Sequence, residues 1–451
     1  MRSSALSILS LTKSEGEDRL QGGNYYIAGE MNSTYEEKMI AQRIAIAKVD
    51  KGNIEAAVRE AIASAGGLEE LIKSDSRVLI KPNVCKPAPS GSGILTDARV
   101  TEAVAKIVLE LGPRSVVIGD GSIAGYDVGG GNSTEEAFET SGTAEVARKL
   151  GIELRNLNRD SFDEVTIQKP LVMDKVRIAR TALESDVIIS IPVLKSHIRT
   201  YATLSLKNMK GVMPGAEKRK SHRLGLDMAI VDLNSVVRPS YAVIDATVGM
   251  EGLWQYPQDS REVGLIVAGR DALAVDIVGA SLMGIDPKQI MHLQYLAKQE
   301  GTIVDLGQIE IVGEPLDKHR QQFKTGFQVF EARYPGVHIV QGESACSGCT
   351  NELVSAITYM KQAGYSREME GLTVIIGNPA GLEVTGKTAA LGKCAKEWAH
   401  LGSYAAGCPP KEDAMIRALC DVCAADPDRV MTMRDEARRK LWESTQALLE
   451  Q

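Results

Sequence analysis

The 451-residue chain reads as an α/β protein: a domain built on a mostly parallel sheet, then a smaller α/β domain toward the C-terminus. Three observations predict this. Short β-branched runs alternate with helical apolar spacing from about residue 41 onward. Glycine and proline punctuate the junctions between them. Hydrophobic residues make up 44% and charged residues 25%, an ordinary globular balance in a chain long enough for two or three cores.

The elements follow in order. Ile54 to Ala65 has helical spacing and stops at Gly66-Gly67. Arg77 to Ile80 is a strand that runs into Lys81-Pro82-Asn83, and Val100 to Leu111 is a helix stopped by Gly112-Pro113. Ser115 to Asp120 is a second strand and Glu135 to Leu150 a helix. "DVIISIPVL" at 186–194 is the strongest candidate for a central strand. Strands at 241–247 and 264–269 and a helix from Ala272 to Met283 complete this unit. Residues 317–336 read as a hinge, and "LTVIIGNPAG" at 372–381 as a strand with its loop. The expected divisions are an arm at 1–40, an α/β domain at 41–315, a linker at 316–340 and a second domain at 341–451.

Composition narrows the function. A net charge of −7 and only 4% aromatic residues argue against nucleic-acid binding. No apolar run approaches the ~20 residues that span a bilayer. The start is too brief and polar for a signal peptide. Seven cysteines, an odd count, suit a reducing cytoplasm better than a disulfide framework.

In parallel sheets, ligands collect at the carboxyl ends of the strands. Lys81 and Asn83 follow the first strand, Asp120-Gly121-Ser122 the second, Lys195-Ser196-His197 the third, and Asp245 and Thr247 close the fourth. Residues 195–223 carry eight Lys or Arg against one acid, Glu217, in a chain whose total charge is negative. The half at 195–210 suits an anion pocket: lysines supply charge, while Thr203, Asn208 and neighbouring hydroxyls supply directed hydrogen bonds. Lys218 to Lys220 with His222 reads more simply as a solvated cluster. His197 could act as a general acid or base, or merely bond a carbonyl at a strand end. Cys85 reads as a loop thiol. The glycine-rich stretch 127–134 matches neither a P-loop nor a dinucleotide fingerprint, and Ser133 or Thr134 could cap the helix that follows.

Four later cysteines carry a second signal. Cys346 and Cys349 form a Cys-x-x-Cys pair, and Cys394 and Cys408 follow after gaps of 44 and 13 residues. Four thiolates complete one [4Fe–4S] cube, the reading we favour, and Cys408 is followed by proline as in many cluster loops. Structural zinc and four unrelated buried thiols are the alternatives. Cys420 and Cys423 share a helical turn and read as helix packing.

Two family resemblances follow from these motifs. "CSGCTNE", Gly-Lys-Cys and "GCPPKEDAMIRAL" resemble the cluster domain of the nickel–iron hydrogenase small subunit and the complex I 20 kDa subunit. That resemblance implies a flavodoxin-like fold with one four-cysteine cluster. The spacing is shorter than in hydrogenases, and the adjacent cysteines of complex I are missing, so neither partner is implied. "LIKPNVC", "GDGS", "IISIPVLKSH" and "TLSLKNMKG" resemble the family named domain of unknown function 362, over about residues 41–315. Its motif positions here are Lys81, Asn83, Lys195, His197, Thr203, Lys207 and Asn208. Members more commonly carry a ferredoxin-type module than the hydrogenase type.

The expectation is an iron–sulfur oxidoreductase or electron-transfer protein. Lys195, Lys207 and Lys81 would hold an anionic small molecule, or a partner's cofactor, and His197 would deliver a proton. A protein redox partner and a homo-oligomer are compatible with it; no residue demands a flavin. The alternatives are a non-redox isomerase or lyase with a structural cluster, and an accessory protein for reductive activation of a metalloenzyme.

Overall fold

A computed structural model describes residues 43–449, apart from 124–126, 128–132, 198, 253–258, 326–327, 329–331, 333, 343–344 and 346. The expected arm at 1–40 lies outside the described residues.

The chain is α/β, as its pattern predicts. Strands β1 (Arg43–Lys48), β2 (Arg77–Pro82), β3 (Ser115–Asp120) and β4 (Glu153–Asn156) are followed by a two-stranded hairpin, β5 (Phe162–Thr166) with β6 (Lys175–Ala179). Then come β7 (Val187–Ile191), β8 (Val193–His197), β9 (Tyr201–Thr203), β10 (Tyr241–Met250), β11 (Ser260–Gly269) and β12 (Glu310–Gly313). Ten of these strands form one sheet in the order β12-β1-β11-β10-β7-β2-β3-β4, with β8 on β10 and β9 on β8. The run β10-β7-β2-β3-β4 is parallel throughout. Only β11, through β1 and β10, and the β8–β9 hairpin pair antiparallel.

Burial explains the apolar runs. Every residue of β7 is buried, because helices or loops cover both faces of a parallel sheet. The run at 186–194 is two strands rather than one. Pro192 has no N–H for the ladder and separates β7 from β8. This break lets β8 peel away and return as a hairpin, whose turn matters below.

Helices α1 (Ile54–Ser64) and α2 (Ala98–Glu110) begin at Asn53 and Asp97, whose side chains accept from Ala56 N and Arg99 N. The stretch expected as one helix from 135 to 150 is two, α3 (Thr134–Ser141) and α4 (Thr143–Leu150). Gly142, at φ 79°, turns the chain between them. Ser133 caps α3 by accepting from Glu136 N at 3.0 Å. Further on lie α5 (Gly215–Leu224), α6 (Leu226–Asn234), α7 (Ala272–Leu282) and α8 (Met291–Gln299).

The C-terminal part has a parallel four-stranded sheet in chain order: β13 (Val337–Gln341), β14 (Leu372–Ile376), β15 (Thr388–Leu391) and β16 (Ser403–Ala405). Helices α9 (Ser347–Gln362), α10 (Glu412–Cys423) and α11 (Pro427–Leu449) accompany it. One continuous apolar cluster joins the two parts, running from Ile244 and Val278 through Phe323 to Leu353 and Met415. The segment expected as a hinge is therefore packed where it is described. Phe323 is fully buried, and its N–H donates to Met283 O at 3.0 Å. Gly249 leaves room for its ring, since a Cβ there would lie 2.8 Å from Phe323 Cζ. Among the described residues no helix is long and apolar enough to cross a membrane.

Candidate functional site

The carboxyl ends of β2 and β3 and the β8–β9 hairpin surround a cavity of about 230 Å³. Its wall includes Asn83, Cys85, Asp120, Lys195, His197, Thr203, Lys207, Asn208, Lys210, Lys218 and His222. Six of the seven residues expected from the sequence to bind or react thus share one cavity.

Lys81 is the exception. It is fully buried, and its ammonium donates to Asp120 Oδ1 at 2.6 Å and to Asn208 Oδ1 at 3.2 Å. It stands behind the wall as half of a buried ion pair and does not line the cavity, contrary to its expected role as an anion ligand. Parallel pairing places Lys81 opposite Ser190. Burial lowers its basicity, and Asp120 opposes that shift. The second oxygen of Asp120 accepts from Val84 N at 2.7 Å. A Cβ at Gly211 would collide with both Asp120 Oδ1 and Lys81 Nζ, so glycine lets this turn close over the pair.

Asn208 is the hub of the wall. Its Oδ1 accepts from Lys81 and from Asn83 Nδ2, and its Nδ2 donates to Lys81 O and Ser190 Oγ at 3.2 and 3.0 Å. All four of its hydrogen-bonding positions are used, which makes it a positioning group. Asn83 Oδ1 accepts from Lys195 Nζ at 2.7 Å, which also donates to Ile94 O at 2.9 Å and lies 3.5 Å from Cys85 Sγ.

Lys218 was read as part of a solvated run, and the structure differs. It is buried on α5 and donates to Gly121 O, Ser122 O and Asn158 Oδ1 at 2.8, 2.8 and 2.6 Å. Burial pulls it down to about 7 although Asp120 works in the other direction. Lys220 fits the original reading, reaching only Glu217 and a backbone carbonyl at the surface.

Lys207 and Lys210 are partly buried. Lys207 donates to Thr203 Oγ1 at 3.0 Å, and burial aided by the Lys195 charge lowers it to about 7. Lys210, which sequence reasoning did not single out, is held well below the ordinary lysine range by burial and then by Lys207. His197 Nδ1 accepts from Arg199 N and Thr200 N at 3.1 and 3.2 Å in the β8–β9 turn. Two backbone donors on Nδ1 place the ring proton of the neutral form on Nε2. Burial and the charge of Lys207 push this imidazole well below its ordinary value. At neutral pH it is a hydrogen-bond donor through Nε2–H rather than an imidazolium acid, which revises the proton-delivery role expected of it.

The same turn reaches the C-terminal part. Arg199 Nη1 donates to Ser355 Oγ on α9 at 2.8 Å, and the Glu352 and Glu412 carboxylates act on this cation. Cys349 is buried in the first turn of α9, one helical turn before Glu352. Cys394 follows β15 and Cys408 follows β16, so these three thiols share the carboxyl edge of the small sheet. The loops carrying them are tied together: Gly392 N donates to Ala405 O and Lys393 N to Gly407 O. A Cβ at Gly392 would lie 3.1 Å from Cys349 Sγ, so the thiol is cradled by bare backbone. The donor set and the glycine cradle fit an iron–sulfur cluster in kind. Cys346 lies outside the described residues, and among those described no three His, Cys, Asp or Glu side chains are gathered closely enough to hold a metal ion. Cys420 and Cys423 are buried on α10, where burial pushes their thiols up to about 12 and about 11. They are packing thiols, as helical spacing predicts.

Comparison with known proteins finds a sequence-family model that matches the segment carrying the cavity. Residues 78–281, which contain every lysine of the cavity wall and Lys81 behind it, match the family described as "Domain of unknown function (DUF362)". The thylakoid-associated protein sll1697 of Synechocystis sp. is 28% identical over 254 residues, spanning 53% of this chain and 73% of that protein. Among solved structures, the lactate racemase apoprotein from Thermoanaerobacterium thermosaccharolyticum aligns with a TM-score of 0.37 at 13% identity, over 53% of this chain and 58% of that one. A Thermotoga maritima protein aligns with a TM-score of 0.29 at 10% identity, over 75% of this chain and 69% of that one.

Proposed function

We propose that the chain is an iron–sulfur oxidoreductase that binds an anionic small molecule in the lysine-lined cavity. The carrying observation is the charge balance of that cavity. Among the described residues four lysines line it, and the one carboxylate there, Asp120, is already paired with Lys81 from behind. An anion is the occupant such a wall favours. The location at the carboxyl ends of parallel strands is where α/β sheets place ligands.

Cys346, Cys349, Cys394 and Cys408 would hold a [4Fe–4S] cluster, which supplies one-electron transfer when bound. Three of the four share one sheet edge, and the β8–β9 turn connects that edge to the cavity through Arg199 and Ser355. A protein redox partner would deliver electrons at the cluster. The chain's own residues bind and orient: Lys207, Lys210 and His197 Nε2–H face the anion, while Lys195 and Lys218 fix the charge of the wall.

A second reading rests on the lowered basicity of Lys207 and Lys210. Amines held below the ordinary lysine range suit acid–base chemistry without net redox change. Anaerobic purification with iron and sulfide analysis, and EPR before and after dithionite, separates the two. A signal that appears on reduction and is lost on adding substrate or partner supports electron transfer. A cluster that is never reoxidised leaves the acid–base reading, and absence of iron removes the redox proposal altogether.

A further inference from the structure

The four cavity lysines are not equivalent. An ammonium has three N–H donors. Lys195 meets Asn83 Oδ1, Ile94 O and Cys85 Sγ, and Lys218 meets Gly121 O, Ser122 O and Asn158 Oδ1. Both therefore have their donors committed to the wall. Lys207 has one partner, a neutral hydroxyl, and Lys210 has none among the described residues. Neither forms an ion pair with a described carboxylate.

Lys207 stands among groups that favour its free amine. Lys195 is the largest of the charges opposing its protonation, and Lys210 adjoins it. Cys85 and Asp227 act in the opposite sense and do not outweigh burial. The amine is held by Thr203 Oγ1 on β9, and Lys207 and His197 line the same cavity. An amine that shares a partly buried cavity with other lysines and with a neutral N–H donor has the surroundings of a carbonyl-condensing lysine.

We propose that Lys207 condenses with the carbonyl carbon of a small anionic carbonyl compound whose carboxylate or phosphate is held by Lys210. This deepens, and rests on, the assignment of the cavity as an anion site. In the condensation Nζ forms a bond to the carbonyl carbon. The carbon–oxygen bond breaks, and the oxygen leaves as water with the two amine hydrogens. No electrons are gained or lost. His197 Nε2–H is the wall donor for the departing oxygen. Once formed, the imine acidifies the adjacent carbon, which suits proton abstraction, carbon–carbon cleavage or reduction at that centre.

The test is reductive trapping on the full chain. Cyanoborohydride is added with pyruvate, or in parallel with dihydroxyacetone phosphate, and the adducts are located by peptide mapping. The expected result is a reduced adduct on Lys207 in at least one arm, suppressed by excess sulfate and absent from Lys207→Arg. The arm that labels identifies the anionic group as carboxylate or phosphate. Calorimetric titration with sulfate on the same preparation separates the possible failures. If sulfate binds but the adducts fall on other lysines, the condensation is refuted and the anion site stands. If sulfate does not bind and Lys207 is unlabelled, both fall together. A circular dichroism spectrum and thermal unfolding of Lys207→Arg that match the parent protein, with loss of the adduct, show that the loss is not one of folding.

Discussion

Raising the pH should weaken anion binding at the cavity, and the structure sets both the sign and the size. Sulfate is a convenient probe because it stays a dianion throughout. In the free cavity burial and the Lys195 charge bring Lys207 down to about 7, and burial and the Lys207 charge hold Lys210 well below the ordinary lysine value of 10.5. The groups acting on Lys207 are Lys195, which lowers it, and Cys85 and Asp227, which raise it. A bound dianion raises both lysines toward their ordinary values, so binding takes up protons. Affinity is therefore full on the acid side and is lost as pH rises through the free-state values. Above about pH 7, one required proton costs about tenfold in affinity per pH unit, about 1.4 kcal/mol. Between about pH 7 and 8.5 the loss is then about 16-fold from Lys207 alone, because half of its protonation is already lost at pH 7, and steeper where Lys210 must also be protonated. Calorimetry at constant ionic strength, in two buffers of unequal protonation enthalpy, measures both the affinity and the protons taken up. Affinity that is flat across this range, with no proton uptake, would refute the reasoning, because the lysines would then be fully charged in the empty cavity. Lys207→Met should flatten the slope by about one proton.

Three other outcomes follow. Asp120→Asn leaves Lys81 buried and unpaired and should cost about 3–5 kcal/mol of stability. Adding Lys81→Met should recover much of that in denaturant unfolding, whereas additive losses would show that the pair is not a unit. Cys394→Ser or Cys408→Ser should lower iron content without changing sulfate affinity, while Cys420→Ala should leave iron untouched. Iron loss in the Cys420 variant would move the ligand set onto α10. Phe323→Ala should cost about 3–5 kcal/mol and open residues 317–336 to limited proteolysis; unchanged resistance would mean that the segment is held by other contacts.

The strand ends were legible because apolar runs stop abruptly at polar residues. Lys81, Asp120 and Lys195 were found that way, and the cavity lies where they converge. Direction was not legible. Lys81 and Lys195 both follow buried strands, yet one turns to Asp120 behind the wall and the other lines the cavity. That choice depends on strand register and on Gly211, neither of which a single chain announces. Lys218 was hidden in the run Lys218-Arg219-Lys220, which reads as surface. A signal existed: Lys218 and His222 are four apart on a helix and share a face, and both line the cavity. Two breaks were missed for local reasons, Pro192 in the central run and Gly142 in the helix. The packed state of Phe323 was missed because its partners, Gly249 and Met283, are distant in sequence and only the fold brings them together.

The strongest argument for an anionic occupant is a contrast within one site. Burying an ammonium without a counter-charge is costly, and proteins avoid it by pairing. At Lys81 this chain does so, with Asp120 at 2.6 Å. At Lys218 it supplies three oxygen acceptors instead. At Lys207 and Lys210, on the same cavity wall, it supplies one hydroxyl between them among the described residues. A sequence that compensates its structural cations so fully has the means to compensate these two as well. A carboxylate opposite them would stabilise the free fold and would also fill the place of a ligand. Leaving them uncompensated lowers the stability of the empty protein in exchange for affinity, since a bound anion restores protonation and charge balance at once. The anion we propose would then be the negative partner of Lys207 and Lys210.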